Sequence, residues 1–188
     1  DDVVTTDVRG NSDVTTPSGV RTVSGGFIQL KQNYSTWFEA ISAIRYDRYD
    51  LDSRTVSTGG DRFSPKITLG VTPVAGFTPY VSYAEGYRAP SVTETLIAGG
   101  HATGGGPALF ACPDGTSGLF CFLPNAGLRP EVGKNKEVGL NLKYNDIFTS
   151  GDSFRGKINV FRNDVEGYID LVASTPTATP FGTFSQFY

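Results

Sequence analysis

His101 is the only histidine in the chain, and it follows Gly99 and Gly100 in a glycine-rich stretch. Glycine-rich backbone is seldom part of a packed core, so we expect the imidazole to be displayed on the surface. Imidazole is a common protein ligand for haem iron and for other borderline metals, although a loop histidine is more often a solvated side chain. His101 is therefore a candidate ligand for haem iron or another metal.

Cys112 and Cys121 are the only cysteines, and they enclose the short segment 113–120. Two cysteines this close in one loop are typical of a disulfide formed in an oxidising compartment. A zinc site would need both cysteines, His101 and a carboxylate such as Asp114, and the spacing does not match a zinc knuckle. The pair predicts a disulfide that holds the loop tip in shape.

The cysteines lie among apolar side chains, in Leu109–Phe110 and in the run 119–123. Such a cluster could offer an apolar surface to a flat hydrophobic ligand or to a protein partner. Alternatively, the same side chains pack on each other beneath the loop.

Composition excludes several classes of function. The formal net charge is -3 and Lys and Arg are not clustered, which argues against nucleic acid as a partner. The chain has no nucleophile elbow, no second histidine and no phosphate-binding glycine loop, so we predict that it is not an enzyme. No apolar stretch approaches the ~18 residues of a membrane-spanning helix.

The elements that must position these residues are strands, because apolar and polar residues alternate at period two along much of the chain. The pattern is regular in 65–72 and in 137–144, and no long helix is indicated. The six candidate strands cover 26–33, 37–48, 65–72, 77–87, 137–144 and 157–172.

The connections between these strands alternate in length. Segments 33–36 and 73–76 are tight turns, whereas 49–63 is a longer polar loop and 88–135 is the longest connection. Short turns on one edge and long loops on the other are typical of outer-membrane β-barrels, whose aromatic girdles would suit residues such as Tyr80. A soluble β-sandwich or a small closed barrel of about eight strands are the alternatives.

One short helix is predicted inside the longest connection. Ser91-Val92-Thr93-Glu94 has the form of a capping box, in which the first and last side chains bond each other's backbone N–H groups. We expect a helix from Ser91 to about Ala98, closed by Gly99.

Two segments resemble conserved boxes of TonB-dependent outer-membrane haem receptors. The segment 83–91, Tyr-Ala-Glu-Gly-Tyr-Arg-Ala-Pro-Ser, is similar to the Phe-Arg-Ala-Pro box, with Tyr87 in place of Phe. The segment 123–131, Leu-Pro-Asn-Ala-Gly-Leu-Arg-Pro-Glu, resembles the Asn-Pro-Asn-Leu box, with Ala126-Gly127 replacing Pro-Asn. In that family the boxes flank an extracellular loop with a haem-ligating histidine, and His101 lies between them here.

The resemblance implies an all-β fold, an antiparallel transmembrane barrel of about 22 strands with long extracellular loops and an N-terminal plug. Residues 1–188 would form part of that barrel in the Gram-negative outer membrane, with 88–134 as the extracellular loop between the boxes. We expect the signal peptide, plug, TonB box and closing strands to lie outside this chain.

The resemblance also implies a function: the receptor would bind haem, or a haem-carrying protein, and transport it to the periplasm with energy from TonB, contacted through the plug. His101 would be the axial ligand of the haem iron, and Tyr87, Arg88 and Arg129 would bind haem. The remaining box residues would set loop geometry, namely Ala89, Pro90, Asn125, Leu128, Pro130 and Glu131. A ferric-siderophore receptor and, from another class, a passive pore or adhesin are the alternative hypotheses.

Overall fold

The computed structural model describes residues 2–3, 17–54, 56–101, 105–173 and 184–187. These residues form strands almost throughout, with one short helix, α1 (Val92–Leu96). Within this part of the chain, no helix has the length and apolar character needed to cross a membrane. The strands are β1 (Asp2–Val3), β2 (Gly19–Tyr34), β3 (Phe38–Asp52), β4 (Ser57–Val71), β5 (Phe77–Arg88), β6 (Gly99–Gly100), β7 (Phe110–Ala111), β8 (Ser117–Gly118), β9 (Cys121–Leu123), β10 (Glu131–Asn145), β11 (Ser153–Glu166), β12 (Leu171–Ala173) and β13 (Phe184–Phe187).

The main sheet has seven strands in the order β1-β2-β3-β4-β5-β10-β11. All of its pairings are antiparallel, so the chain runs up and down from each strand to its neighbour. All six strands predicted from the alternation are present, but the last, predicted over 157–172, ends at Glu166. The long loop 89–130 joins β5 directly to its neighbour β10, so the loop begins and ends at adjacent points of the sheet.

The strands extend further than the alternation predicts, and this corrects two expected loops. Residues 49–63 are mostly strand, since the β3–β4 ladder continues to Asp52↔Ser57 and leaves only 53–56 as the connection. At the longest loop, β10 begins at Glu131, opposite Arg88. Backbone pairing needs no apolar side chains, so it persists where the hydrophobic pattern ends.

One face of the sheet is apolar and open. Val81, Val138 and Val160 lie directly opposite one another on β5, β10 and β11, and their exposed fractions are 49%, 63% and 77%. Leu140 and Ile158 form the adjacent pair on the same face. A continuous band of valine, leucine and isoleucine, exposed except for the partly buried Leu140, is the surface that a lipid-facing barrel wall presents.

The other face is polar and its side chains bond one another. Tyr80 is 8% exposed and donates a hydrogen bond to Glu137, which also pairs with Lys157 at 3.2 Å. Thr68 and Ser82 hydroxyls lie 2.7 Å apart on the neighbouring strands. The prediction that Tyr80 belongs to an aromatic girdle is therefore wrong, because its ring lies on the polar face.

The turns at one edge of the main sheet are compact. They connect β2 to β3, β4 to β5 and β10 to β11, over 35–37, 72–76 and 146–152. In the last turn, Asp152 accepts hydrogen bonds from the backbone N–H groups of Ile147, Phe148 and Thr149 at 2.7–3.0 Å. These bonds hold the pKa of the Asp152 carboxyl below its usual range, and the bond from Thr149 has the largest effect.

The principal apolar core lies at the opposite edge. Val92 and Leu96 on α1 pack with Tyr49 and Leu51 of β3 and with Ala89, and each of these residues is at most 7% exposed. Because apolar burial stabilises by roughly 25 cal/mol per Å², this contact anchors the start of the long loop on the sheet.

Candidate ligand-binding loop

Arg88 joins both ends of the loop. Its guanidinium donates two hydrogen bonds to Glu131, at 2.6 and 2.7 Å, and two to Glu94, at 3.0 and 3.1 Å. The Glu131 side chain is 13% exposed and that of Glu94 is 17% exposed. A bidentate guanidinium–carboxylate pair is geometrically specific, so Arg88 fixes the loop base.

The predicted capping box is present at the start of α1. The Ser91 hydroxyl accepts from the Glu94 N–H, and the Glu94 carboxylate accepts from the Ser91 N–H at 2.7 Å. The helix ends earlier than expected, with Ile97 as the C-terminal cap. Glu94 thus serves the helix cap and Arg88 together.

The second box, 123–131, contacts α1, which follows the first box, 83–91. The N–H of Asn125 donates to the carbonyl of Thr95 on α1 at 2.9 Å, and its side-chain oxygen accepts from Gly127 at 3.1 Å. Leu128 is 8% exposed. The second box is therefore joined to α1, and through the Arg88–Glu131 pair to the first box.

Arg21 secures the first box from a distant strand. Its guanidinium donates to the carbonyl oxygens of Ala89 and Pro90 at 3.3 and 3.2 Å, from the start of β2. Ala89 and Pro90 are separated from Arg21 by 68 and 69 positions in the sequence. No local sequence signal points to such a contact.

The disulfide is formed as predicted. Cys112 and Cys121 are bonded, with their Cα atoms 5.6 Å apart, and both are buried. Cys112 lies in the turn of a small hairpin of β7 and β8, and Cys121 begins β9. The cross-link ties the hairpin to β9, and it makes these thiols unavailable as zinc ligands.

His101 follows β6 and is held through its backbone against the segment preceding β9. Its N–H donates to the Phe120 carbonyl at 2.8 Å, and its carbonyl accepts from the Leu119 N–H at 3.1 Å. Gly99 and Gly100 pair with Phe122 and Cys121 in the adjoining β6–β9 ladder. His101 is therefore presented from a hydrogen-bonded sheet.

Two aromatic rings contact the imidazole. The Phe120 ring is stacked on it, with centroids 4.4 Å apart and an interplanar angle of 24°. The Phe122 centroid lies 5.8 Å away, and the two phenylalanine rings meet edge to face at 5.2 Å. Part of the predicted apolar cluster is thus packed around His101, whereas Leu109 stays 63% exposed.

The backbone of His101 is also closely approached by a glycine. A Cβ at Gly118 would lie 2.4 Å from the His101 carbonyl oxygen and 2.6 Å from its nitrogen. A Cβ at Gly100 would lie 2.4 Å from the Ser117 carbonyl oxygen. Side chains do not fit at these two positions, so β6 and β8 approach each other through glycine.

The segment after β11 pairs with the loop. Strand β9 pairs with β6 on one side and, in parallel, with β13 on the other, in a sheet ordered β12-β13-β9-β6. The Gln186 amide donates to the Pro124 carbonyl at 2.8 Å, and Ile169 N–H donates to Glu131 at 2.8 Å. The loop and the segment after β11 thus share one small sheet.

The structure does not gather all of the predicted haem-binding residues. Tyr87 and Arg129, together with Arg62, line one cavity of about 370 Å³ at the loop base. Arg88 is engaged with two carboxylates. His101 lies directly after β6 in the small sheet β12-β13-β9-β6 and is not among the residues that line this cavity.

Comparison with known proteins bears on the family. Residues 1–188 match the family model "TonB dependent receptor-like, beta-barrel". The chain is similar to the heme/hemopexin utilization protein C of Haemophilus influenzae, with 38% identity over 131 residues, and to the hemin receptor of Yersinia pestis, with 27% identity over 145 residues. These alignments cover 69% and 73% of this chain but only 17% and 20% of those proteins.

A solved structure agrees on the fold. The hemophore receptor HasR of Serratia marcescens, a double mutant in complex with its hemophore HasA and heme, matches with a TM-score of 0.67 and 24% identity. The match covers 92% of this chain and 30% of that one. The antiparallel sheet with one apolar face agrees with that fold. Because the family model matches all of residues 1–188, the chain belongs to the TonB-dependent receptor β-barrel family, whose members are transport receptors of the outer membrane.

Proposed function

We propose that this chain is part of a receptor that binds haem, or a haem-carrying protein, at the cell surface and transports haem to the periplasm. The names of its relatives, a heme/hemopexin utilization protein and a hemin receptor, support haem as the cargo. Membership of the TonB-dependent receptor family supports transport with energy from TonB, which the plug of the complete receptor would contact.

The observation that carries the proposal is the presentation of His101. The single histidine stands between the two boxes, on a loop sheet braced by a disulfide and anchored by Arg88. Neutral imidazole is a strong ligand for haem iron, and the neighbouring phenylalanine rings offer a flat apolar cargo a matching surface. In this proposal His101 is an axial ligand.

The other predicted residues have separate roles in the proposal. The long loops face the cell exterior, and the apolar face of the main sheet contacts lipid. Tyr87 and Arg129 face one cavity and are the candidates for a haem propionate. Arg88, with Glu131, sets the loop base.

The proposal is tested by titrating the intact receptor in detergent with haemin, following the Soret band, for the parent protein and for His101→Ala. We expect saturable binding by the parent and about tenfold or greater weakening, with a shifted band, in the variant. Ser117→Ala is the matched control, because that exposed side chain lies on the same loop.

Each outcome is informative. Binding that His101→Ala leaves unchanged would keep haem as cargo and remove His101 as the ligand. Absence of saturable binding by the parent would contradict haem as cargo and favour a ferric siderophore, to be tested by titration with siderophores of known class.

A further inference from the structure

We propose that Phe120 is a positioning residue that sets the plane of the His101 imidazole, and through it the direction in which this ring presents its nitrogen to haem iron. The inference rests on the proposed function, since it concerns how the same histidine is aimed. It assigns a role to a residue that the sequence indicates only as part of an apolar cluster.

The first argument is that the two residues are fixed relative to each other at the backbone. The His101 N–H donates to the Phe120 carbonyl at 2.8 Å, directly beyond the Gly100↔Cys121 pair of the β6–β9 ladder. Cys121 is completely buried and is bonded to Cys112. The peptide that carries the Phe120 ring is therefore held next to that of His101.

The second argument is the geometry of the two rings. At 4.4 Å between centroids and 24° between planes, Phe120 covers one face of the imidazole. Rotation of the imidazole about its Cβ–Cγ bond would drive its edge into the phenyl ring. Phe122, at 5.8 Å and 45°, packs against both rings and restrains Phe120 in turn.

The third argument is that stacking and iron ligation use different directions. The lone pair of an imidazole nitrogen lies in the ring plane, whereas Phe120 occupies the space above one face. The stack can therefore persist when iron is bound. A partner that orients a ligating histidine typically changes metal affinity when it is removed.

The experiment uses the intact receptor loaded with haemin and compares Phe120→Leu with the parent. The EPR g-values of a ferric haem depend on the direction of the axial imidazole plane, so we expect altered g-values in Phe120→Leu. We also expect haem affinity about two- to tenfold weaker, the range for loss of one aromatic pair. Phe120→Tyr, which keeps a stacking ring, should restore both properties.

Phe110→Leu is the matched control. Phe110 is a partly buried phenylalanine of the hairpin that the disulfide links to β9, and no ring contact with His101 is found for it among the described residues. Both leucine variants are checked for outer-membrane insertion and for the disulfide on non-reducing gels. If Phe120→Leu is not inserted, Phe120→Met replaces it.

The outcomes separate the inference from the proposed function. If His101→Ala weakens binding while Phe120→Leu keeps the parent g-values and affinity, the inference is wrong and ligation by His101 stands. If His101→Ala behaves as the parent, ligation and the inference fail together. Equal changes in Phe120→Leu and Phe110→Leu would also overturn the inference, since the effect would then be general loosening of the disulfide-linked segment.

Discussion

At the scale of single residues, loop 89–130 depends on one guanidinium group, that of Arg88, which pairs with two carboxylates. Arg88 bonds Glu131 across the strand pair and Glu94 at the helix cap. Its side chain is 44% exposed, so solvent screens part of the interaction, whereas both carboxylates are largely buried. Removing the guanidinium would leave two neighbouring carboxylates without their common partner.

We predict that Arg88→Ala lowers the local opening free energy of segment 89–98 by about 1 kcal/mol. Hydrogen exchange with mass spectrometry on the intact receptor should then show faster exchange of α1 amides. Arg48→Ala is the control, because the Arg48–Asp50 pair is 55% and 45% exposed and should contribute less. Unchanged exchange in 89–98 would show that packing of α1 alone holds the loop base.

At the scale of elements, the hairpin of β7 and β8 is positioned by close contact. Gly118 meets the backbone of His101 at distances where no Cβ fits, and Gly100 does the same against Ser117. The disulfide adds a covalent connection between the hairpin and β9. The segment that presents His101 is therefore enclosed by β9 and by β8.

We predict that Gly118→Ala displaces the β8 segment from His101 at a cost of about 1–3 kcal/mol in local stability. Amides of 99–101 should exchange faster, and under the proposed function haemin affinity should fall. Gly127→Ala is the matched control, since its Cβ would meet only the Asn125 side chain at 3.4 Å. Equal haemin affinity in the parent and Gly118→Ala would indicate that the loop adapts without loss.

The sequence was informative where one face of a strand is apolar. Alternation in 65–72 and 137–144 predicts strands and their faces, because lipid and the polar interior impose opposite demands on successive residues. It fails in 49–63, where polar residues continue the ladder beyond the apolar band. The capping box and the disulfide were also predictable, as both are local.

The arrangement of the candidate site was much less predictable. Arg21 reaches the first box from β2, and β13 pairs with β9, through contacts between residues far apart in sequence. The stack of Phe120 on His101 depends on the register of two very short strands. Composition could indicate an aromatic cluster near His101 but could not indicate which ring covers the imidazole.

At the scale of the whole molecule, the two faces of the sheet are chemically opposite. Val160 is 77% exposed in the apolar band, whereas its neighbour Asn159 lies opposite Gly139 on the polar face. In a receptor inserted in lipid, burial of a charge is costly only on the first of these faces.

We predict that Val160→Arg destabilises the intact receptor in lipid vesicles by about 2–4 kcal/mol, as expected for a charge near the bilayer midplane. The measurement is urea unfolding followed by tryptophan fluorescence. Asn159→Arg, one residue away on the opposite face, should have a much smaller effect. Equal destabilisation by both variants would contradict the assigned faces.

The parallel pairing of β9 with β13 makes loop 89–130 and segment 167–187 a single unit for transplantation between receptors. A chimaera that receives only segment 89–130 from another receptor would bring a foreign β9 against the resident β13, with an unmatched register. Cargo preference should therefore transfer between receptors when 89–130 and 167–187 are transplanted together.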